Sequence, residues 1–198
     1  MGEARLATAE RLRRLGLLPI AFFVIHGSRH VIAGHSYELL WLCTVSCLLV
    51  GVGMLAGAVR LTAAAALWLP LGTVLWIFDA LRTGDFMATS ALTHLGGLAI
   101  AIVWLRQTGF PAGSFALATA IGIFLQLASR YLSPYQANVN VSQFVYPGSE
   151  AYFPSYRVYW LVIWLVATGI FWTVERLCRQ LPSQLVKAES TTRARASR

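Results

Sequence analysis

The chain has 198 residues, of which 57% are hydrophobic and 12% charged, with a formal net charge of +8. A soluble domain of this size carries about twice that share of charge, so the composition excludes a soluble globular protein. Arg and Lys concentrate in "RLATAERLRR" at one end and "RLCRQLPSQLVKAESTTRARASR" at the other. With no aromatic–basic interleaving and no nucleic-acid motif between them, they read as membrane flanks and exclude nucleic acid as a partner.

Residues 1–15 read as a basic cytoplasmic segment. "LGLLPIAFFVI" follows it without a convincing small-x-small site, so no cleavable signal peptide is expected. Six apolar spans follow, at roughly 16–34, 38–58, 61–81, 86–106, 112–132 and 156–178, each near the 20 residues needed to cross a bilayer. The breaks fall at "AGHSYE", "AVRLT", "LRTGDF", "RQTGFPAGS" and the longer "SPYQANVNVSQFVYPGSEAYFPS". Only helices or a closed barrel satisfy backbone groups in hydrocarbon, and these segments are too long and too evenly apolar for barrel strands. The expected fold is therefore all-α, a polytopic bundle of six transmembrane helices over residues 16–182. The basic tail 183–198 is expected to be disordered.

An even number of spans puts both ends of the chain on one side. If that side is the cytoplasm, only Arg29, Arg82, Arg130 and Arg157 of the 16 Lys and Arg residues lie outside, as the positive-inside rule requires. The expectation is a multi-pass plasma-membrane protein with both termini cytoplasmic and the lipid bilayer as its surroundings. Gly51, Gly53 and Gly57 in the second span allow close helix approach.

The polar residues inside the spans fall at similar depths. At 1.5 Å per residue, Cys43 lies about 9 Å, and His94 and His26 about 12 Å, below the outer ends of their helices. Asp79 lies just above them, and Asp85 reads as a cap of the fourth helix. "CTVSC" crowds Cys43, Thr44, Ser46 and Cys47 into little more than one turn. Such a Cys is most often a small packing residue, and Thr and Ser most often bond back to their own helix. An intramembrane His is more telling, because ionisable groups there are costly and tend to be functional.

Two chemistries fit this set. In one, Cys43 is a nucleophile and His94 its base. In the other, His26, His30, Cys43, Cys47 and His94 hold a metal, with the i, i+4 pairs of "HGSRH" and "CTVSC" forming a Cys2His2 site, or two histidines hold a haem. A non-enzymatic transporter or assembly factor is a third possibility. Three cysteines in apolar segments are not a disulfide framework.

"ELLWLC", "LWLPLGTVLWIFDAL", "THLGGLAIAIVWL", "NVNVSQFVYPG" and "YRVYWLVIWL", spread over roughly residues 37–177, resemble the YwaF-type integral membrane proteins. That family's animal relatives are transmembrane acyltransferases acting on ether phospholipids; more distant relatives hydrolyse fatty-acid esters of hydroxy fatty acids with a Thr–His pair. The resemblance implies Cys43 as nucleophile, His94 as base, Thr44 at the position of the hydrolase Thr, and Asn138 and Asn140 at the pocket mouth. Here the histidine motif carries an extra Leu95 before its glycines, the second helix lacks the family's usual Pro, and "HGSRHVIAGH" has no counterpart. The expectation is a lipid acyltransferase or lipid ester hydrolase, with a phospholipid or fatty-acyl ester as substrate and no cofactor. Asp79 would orient His94, Thr44, Asn138 or Asn140 would donate to the oxyanion, and Arg82 and Arg157, with Arg29, would hold a lipid phosphate.

Overall fold

The structure is a computed structural model that describes residues 10–84 and 86–180. The tail expected to be disordered, most of the basic N-terminal segment and the cap expected at Asp85 lie outside the described residues. Six helices account for most of what is described: α1 Leu17–Ile32, α2 Leu42–Ala56, α3 Val59–Thr83, α4 Ala88–Thr108, α5 Ser114–Leu132 and α6 Tyr156–Gln180. Residues 10–14 are already helical and lead into α1. Among the described residues there is no strand. Five of the helices are long and apolar enough to cross a membrane, counting α1 from Glu10, and α2 is a shorter apolar helix. The chain is thus a polytopic helical bundle, multi-pass by length and composition.

The helices run alternately up and down. The connections 33–41, 84–87 and 133–155 gather at one end of the bundle, called the loop end here, and both ends of the described chain lie at the other.

Helix α3 is the hub. Its run "TAAAALWL" is buried on every side, with Ala63, Ala64 and Ala65 fully buried, because four small side chains in a row let neighbours close in all round. One face packs with Cys47, Val50 and Met54 of α2 and Ala101 and Trp104 of α4. The other meets Ala118 of α5 and Trp164 and Phe171 of α6. The Trp68 indole N–H donates to the Ala118 carbonyl at 2.9 Å and the Trp164 indole N–H to Gln126 Oε1 at 2.7 Å, so both indoles of that cluster are satisfied.

The expected glycine contacts are present in α2. A Cβ on Gly51 would stand 2.6 Å from Ile20, and one on Gly53 would stand 2.5 Å from the Thr62 hydroxyl. Those two glycines therefore set how closely α1 and α3 approach α2.

Burial of α3 stops at Thr73. Beyond it Val74, Leu75, Phe78 and Leu81 are exposed, as a helix facing lipid would show.

The start of α2 departs from expectation. Ser36–Leu40 is a 3-10 turn, Trp41 is extended, and the α-helix begins only at Leu42. Asn140, 98 residues further on, makes this break possible. Its Oδ1 accepts the Leu42 N–H at 2.8 Å, and its Nδ2 donates to the Leu40 carbonyl at 2.7 Å and to Ser129 Oγ at 2.8 Å. One amide thus caps a helix, closes the preceding turn and ties both to α5. At the opposite end the buried carboxylate of Glu175 on α6 accepts the N–H groups of Gly113 and Phe115, at 2.9 and 2.8 Å, and so caps α5 from a neighbouring helix.

Candidate functional site

Two helices lose regularity at the same level. In α3, Pro70 has no N–H for the carbonyl one turn below, and Gly72 follows it. In α4, Leu92–Gly96 forms a π turn that contains His94. A π turn absorbs one extra residue and is frequent at functional sites. Irregular backbone at membrane depth is tolerated where it is buried in protein or lines a cavity.

These irregularities face each other. A Cβ built on Gly72 would lie 2.8 Å from Cys43 Cβ and 3.4 Å from both Nε2 and Cδ2 of His94. Cys43 and the imidazole edge therefore both pack directly on Gly72, where a side chain has no room, and Cys43 Cβ and His94 Nε2 are no further apart than the sum of those two distances. His94 is 3% exposed and its Nε2 is buried without a partner, while Cys43 is half-buried. No hydrogen bond joins the two.

The imidazole is held in one orientation. His94 Nδ1 lies 2.9 Å from the Ser90 carbonyl and 3.3 Å from Ser90 Oγ. A carbonyl only accepts, so Nδ1 carries the proton and Nε2 is the free acceptor, as assigned from the hydrogen-bond pattern. Trp76 stacks on the ring at 5.3 Å with planes 10° apart, and Phe86 lies against Trp76 in turn.

Cys43 occupies the second position of α2. Leu42's N–H is taken by Asn140. Because a 3-10 turn and an extended residue precede the helix, the N–H groups of Cys43 and Thr44 have no α-helical carbonyl behind them. The positive end of the helix is thus presented beside the thiol, a setting in which cysteines act as nucleophiles.

Several expected roles are corrected. Asp79 does not orient His94: its side chain is exposed and paired with Arg82 at 3.1 Å. The Ser90 carbonyl takes the role instead. Arg82 is likewise committed to Asp79. Asn138 and Asn140 are not free to bind substrate or an oxyanion. Asn138 Oδ1 accepts the N–H groups of Gln143 and Phe144 and its Nδ2 donates to the Phe144 carbonyl, while Asn140 is consumed as described above. Arg157 lines a groove of about 440 Å³ with Arg130, Tyr156 and Trp160. That groove is built from α5, α6 and Ser142, so Arg157 stands apart from Cys43 and His94. Thr44 is buried in α2.

The proposed metal set does not assemble. The Cys47 thiol donates to the Pro19 carbonyl at 3.3 Å and packs against Gly97, so it is turned to α1 and α4 as a packing residue. Cys43 and Cys47 are free thiols. Among the described residues no three His, Cys, Asp or Glu side chains gather as a metal ion would need.

Sequence reasoning missed Gly72, Trp76, Ser90, Thr89 and Glu38. Pro70 and Gly72 in α3 and the doubled glycine after His94 mark irregular backbone in the sequence, but not which side chains meet there. Comparison with known proteins gives no match to any family model, curated protein or solved structure.

Proposed function

We propose that the chain is an integral membrane lipid acyltransferase or lipid ester hydrolase, with Cys43 as nucleophile and His94 as general base. The observation that carries the reading is the meeting of a half-buried thiol at a helix N-terminus and an unpartnered, oriented imidazole nitrogen, both packed directly on Gly72. The resemblance of "ELLWLC" and "THLGG" to the acyltransferase motifs gives the same two residues the same roles. The positive-inside pattern supports a placement with both termini in the cytoplasm and the site in the outer half of the plasma membrane, near the depth of phospholipid ester carbonyls.

The chemistry follows from the tautomer. His94 Nε2 takes the Cys43 proton as the sulfur attacks the ester carbonyl. The C–O bond breaks, the departing alkoxide receives that proton from the imidazolium, and Cys43 is left as a thioester. An acceptor alcohol, or water in the hydrolytic case, then gives its proton to Nε2 and attacks the thioester. The thiolate leaves and recovers the proton. The backbone N–H groups of Cys43 and Thr44 are the candidate donors to the oxyanion. Approach of the thiol to Nε2 belongs to the substrate-bound state, because catalytic contacts are often looser without substrate.

An alkynyl fatty-acyl ester incubated with purified protein tests this directly. A hydroxylamine-sensitive label on Cys43 is expected, absent in Cys43→Ala and slowed about 10²–10⁴-fold in His94→Gln, the range for loss of a general base. Labelling that persists in a folded Cys43→Ala protein would sink the assignment.

A further inference from the structure

A second polar cluster lies beside this site and takes no part in the chemistry above. Glu38 Oε2, in the 3-10 turn before α2, is 3.0 Å from His30 Nδ1. His30 Nε2 is 3.2 Å from His26 Nε2, and the rings meet edge to face. His26 Nδ1 is 3.1 Å from the Thr89 hydroxyl on α4. Both histidines are buried, at 5% and 8% exposure, whereas the Glu38 side chain is 29% exposed at the loop end. Three short contacts thus join a solvent-reachable carboxylate to a hydroxyl one residue from Ser90, which holds His94.

One proton arrangement satisfies all three contacts with both rings neutral and Glu38 ionised. His30 Nδ1–H donates to Glu38, His26 Nε2–H donates to His30 Nε2, and the Thr89 hydroxyl donates to His26 Nδ1. Every donor then points the same way, towards the loop end. A chance pair of packing histidines has no reason to be polarised end to end. Buried ionisable groups inside a membrane bundle commonly mark proton relays.

We propose that Thr89, His26, His30 and Glu38 form a proton path leading from the interior of the bundle beside His94 to the loop-end surface. The inference stands apart from the acyl-transfer reading. An acid in the interior, such as imidazolium at His94 or a carboxylic acid, gives a proton to the Thr89 oxygen as Thr89 releases its own hydroxyl proton to His26 Nδ1. His26 releases its Nε2 proton to His30 Nε2, and His30 releases its Nδ1 proton to the Glu38 carboxylate. Each ring forms one N–H bond and breaks one, and Glu38 ends as a neutral acid that gives the proton to water. The other charged or titratable groups near the path are Arg29 and His94, close to His26, and His35, 3.7 Å from Glu38.

The test needs no turnover. The full chain, labelled with 15N-histidine and reconstituted in lipid bilayers, is studied by NMR at neutral pH. The wild type is expected to show His30 protonated at Nδ1 and His26 at Nε2. Its buried His26 ring N–H should exchange with deuterated water on the same timescale as that of His30. Glu38→Gln keeps an acceptor for His30 but cannot take up the proton. It should slow His26 exchange about tenfold or more, as when exchange has to await local opening. His35→Gln should leave it unchanged. Unaltered His26 exchange in Glu38→Gln overturns the path. So does a wild-type His26 protonated at Nδ1, a result that needs no variant to fold.

Discussion

At Gly72 the absence of a side chain matters more than any side chain nearby. A methyl group there would sit 2.8 Å from Cys43 Cβ and 3.4 Å from His94 Nε2, so it would push the thiol and the imidazole apart. Gly72→Ala is therefore expected to block formation of the Cys43 acyl label. Its cost in stability should be only about 1–3 kcal/mol, the usual range for overpacking. Thermal unfolding in detergent and acyl labelling, measured on the same preparation, separate the two effects. Gly72→Ala that labels at the wild-type rate would show that the close packing of Cys43 and His94 on Gly72 is not needed for the reaction. The sequence displayed Cys43 and His94 plainly, because a thiol and an imidazole are conspicuous in an apolar run. It could not display Gly72, whose role depends on which two helices it lies between. Asp79 misled for the complementary reason: depth along a helix can be counted from the sequence, but not that its carboxylate is exposed and paired with Arg82 while the Ser90 carbonyl holds His94.

Among the elements, the π turn of α4 is the one whose geometry fixes the site. Deleting Leu95 removes the extra residue and lets Leu92–Gly96 close as ordinary α-helix. Residues 88–94 would then rotate by about 100° relative to the rest of α4, one residue's turn at 3.6 residues per turn. His94 would leave Gly72 and lose Trp76. The deletion is expected to retain the helical circular dichroism of the parent and to lose acyl labelling. A deletion variant that labels normally would mean the turn is incidental. The second helix makes a related point. Its apolar run begins at Leu39, and hydrophobicity alone extends the helix back to residue 38. The actual start at Leu42 is dictated by Asn140, whose amide competes for the backbone from a distant loop. Asn140→Ala leaves the Leu40 carbonyl and the Leu42 N–H without their partner. A loss of about 1–3 kcal/mol is expected for each buried group stranded, seen as a lowered midpoint of thermal unfolding in detergent. Since that break also leaves the N–H groups of Cys43 and Thr44 without a helical carbonyl acceptor, labelling should fall with it; a variant that loses stability but labels at the wild-type rate would separate the cap from the chemistry.

For the whole molecule, six alternating helices place the described ends together and gather the polar chemistry near the loop end, with Glu38, Cys43, His94 and the Asn138–Asn140 loop drawn from four different connections or helices. This architecture was legible because hydrocarbon permits so few alternatives: each apolar run of about 20 residues had to be a helix, and the spans read from sequence differ from the helices found by only a few residues at most ends. What the runs could not reveal was rotation about each helix axis, which decides that Cys43 meets Gly72 of α3 and His94 of α4. The direction of insertion is a separate question, and the distribution of Lys and Arg bears on it. Arg60 and Arg106 lie at the end shared by the chain termini, and the terminal segments add most of the remaining positive charge, so that end should face the cytoplasm. Single cysteines at Ser149, in the longest loop-end connection, and at Ala112, in the connection between α4 and α5, distinguish the two senses when the native cysteines are replaced by alanine. A membrane-impermeant maleimide applied to intact cells should label Ser149→Cys and leave Ala112→Cys unlabelled until the cells are opened. The opposite pattern would move Cys43 and His94 to the cytoplasmic leaflet, and with them the pool of lipid esters that the site can reach.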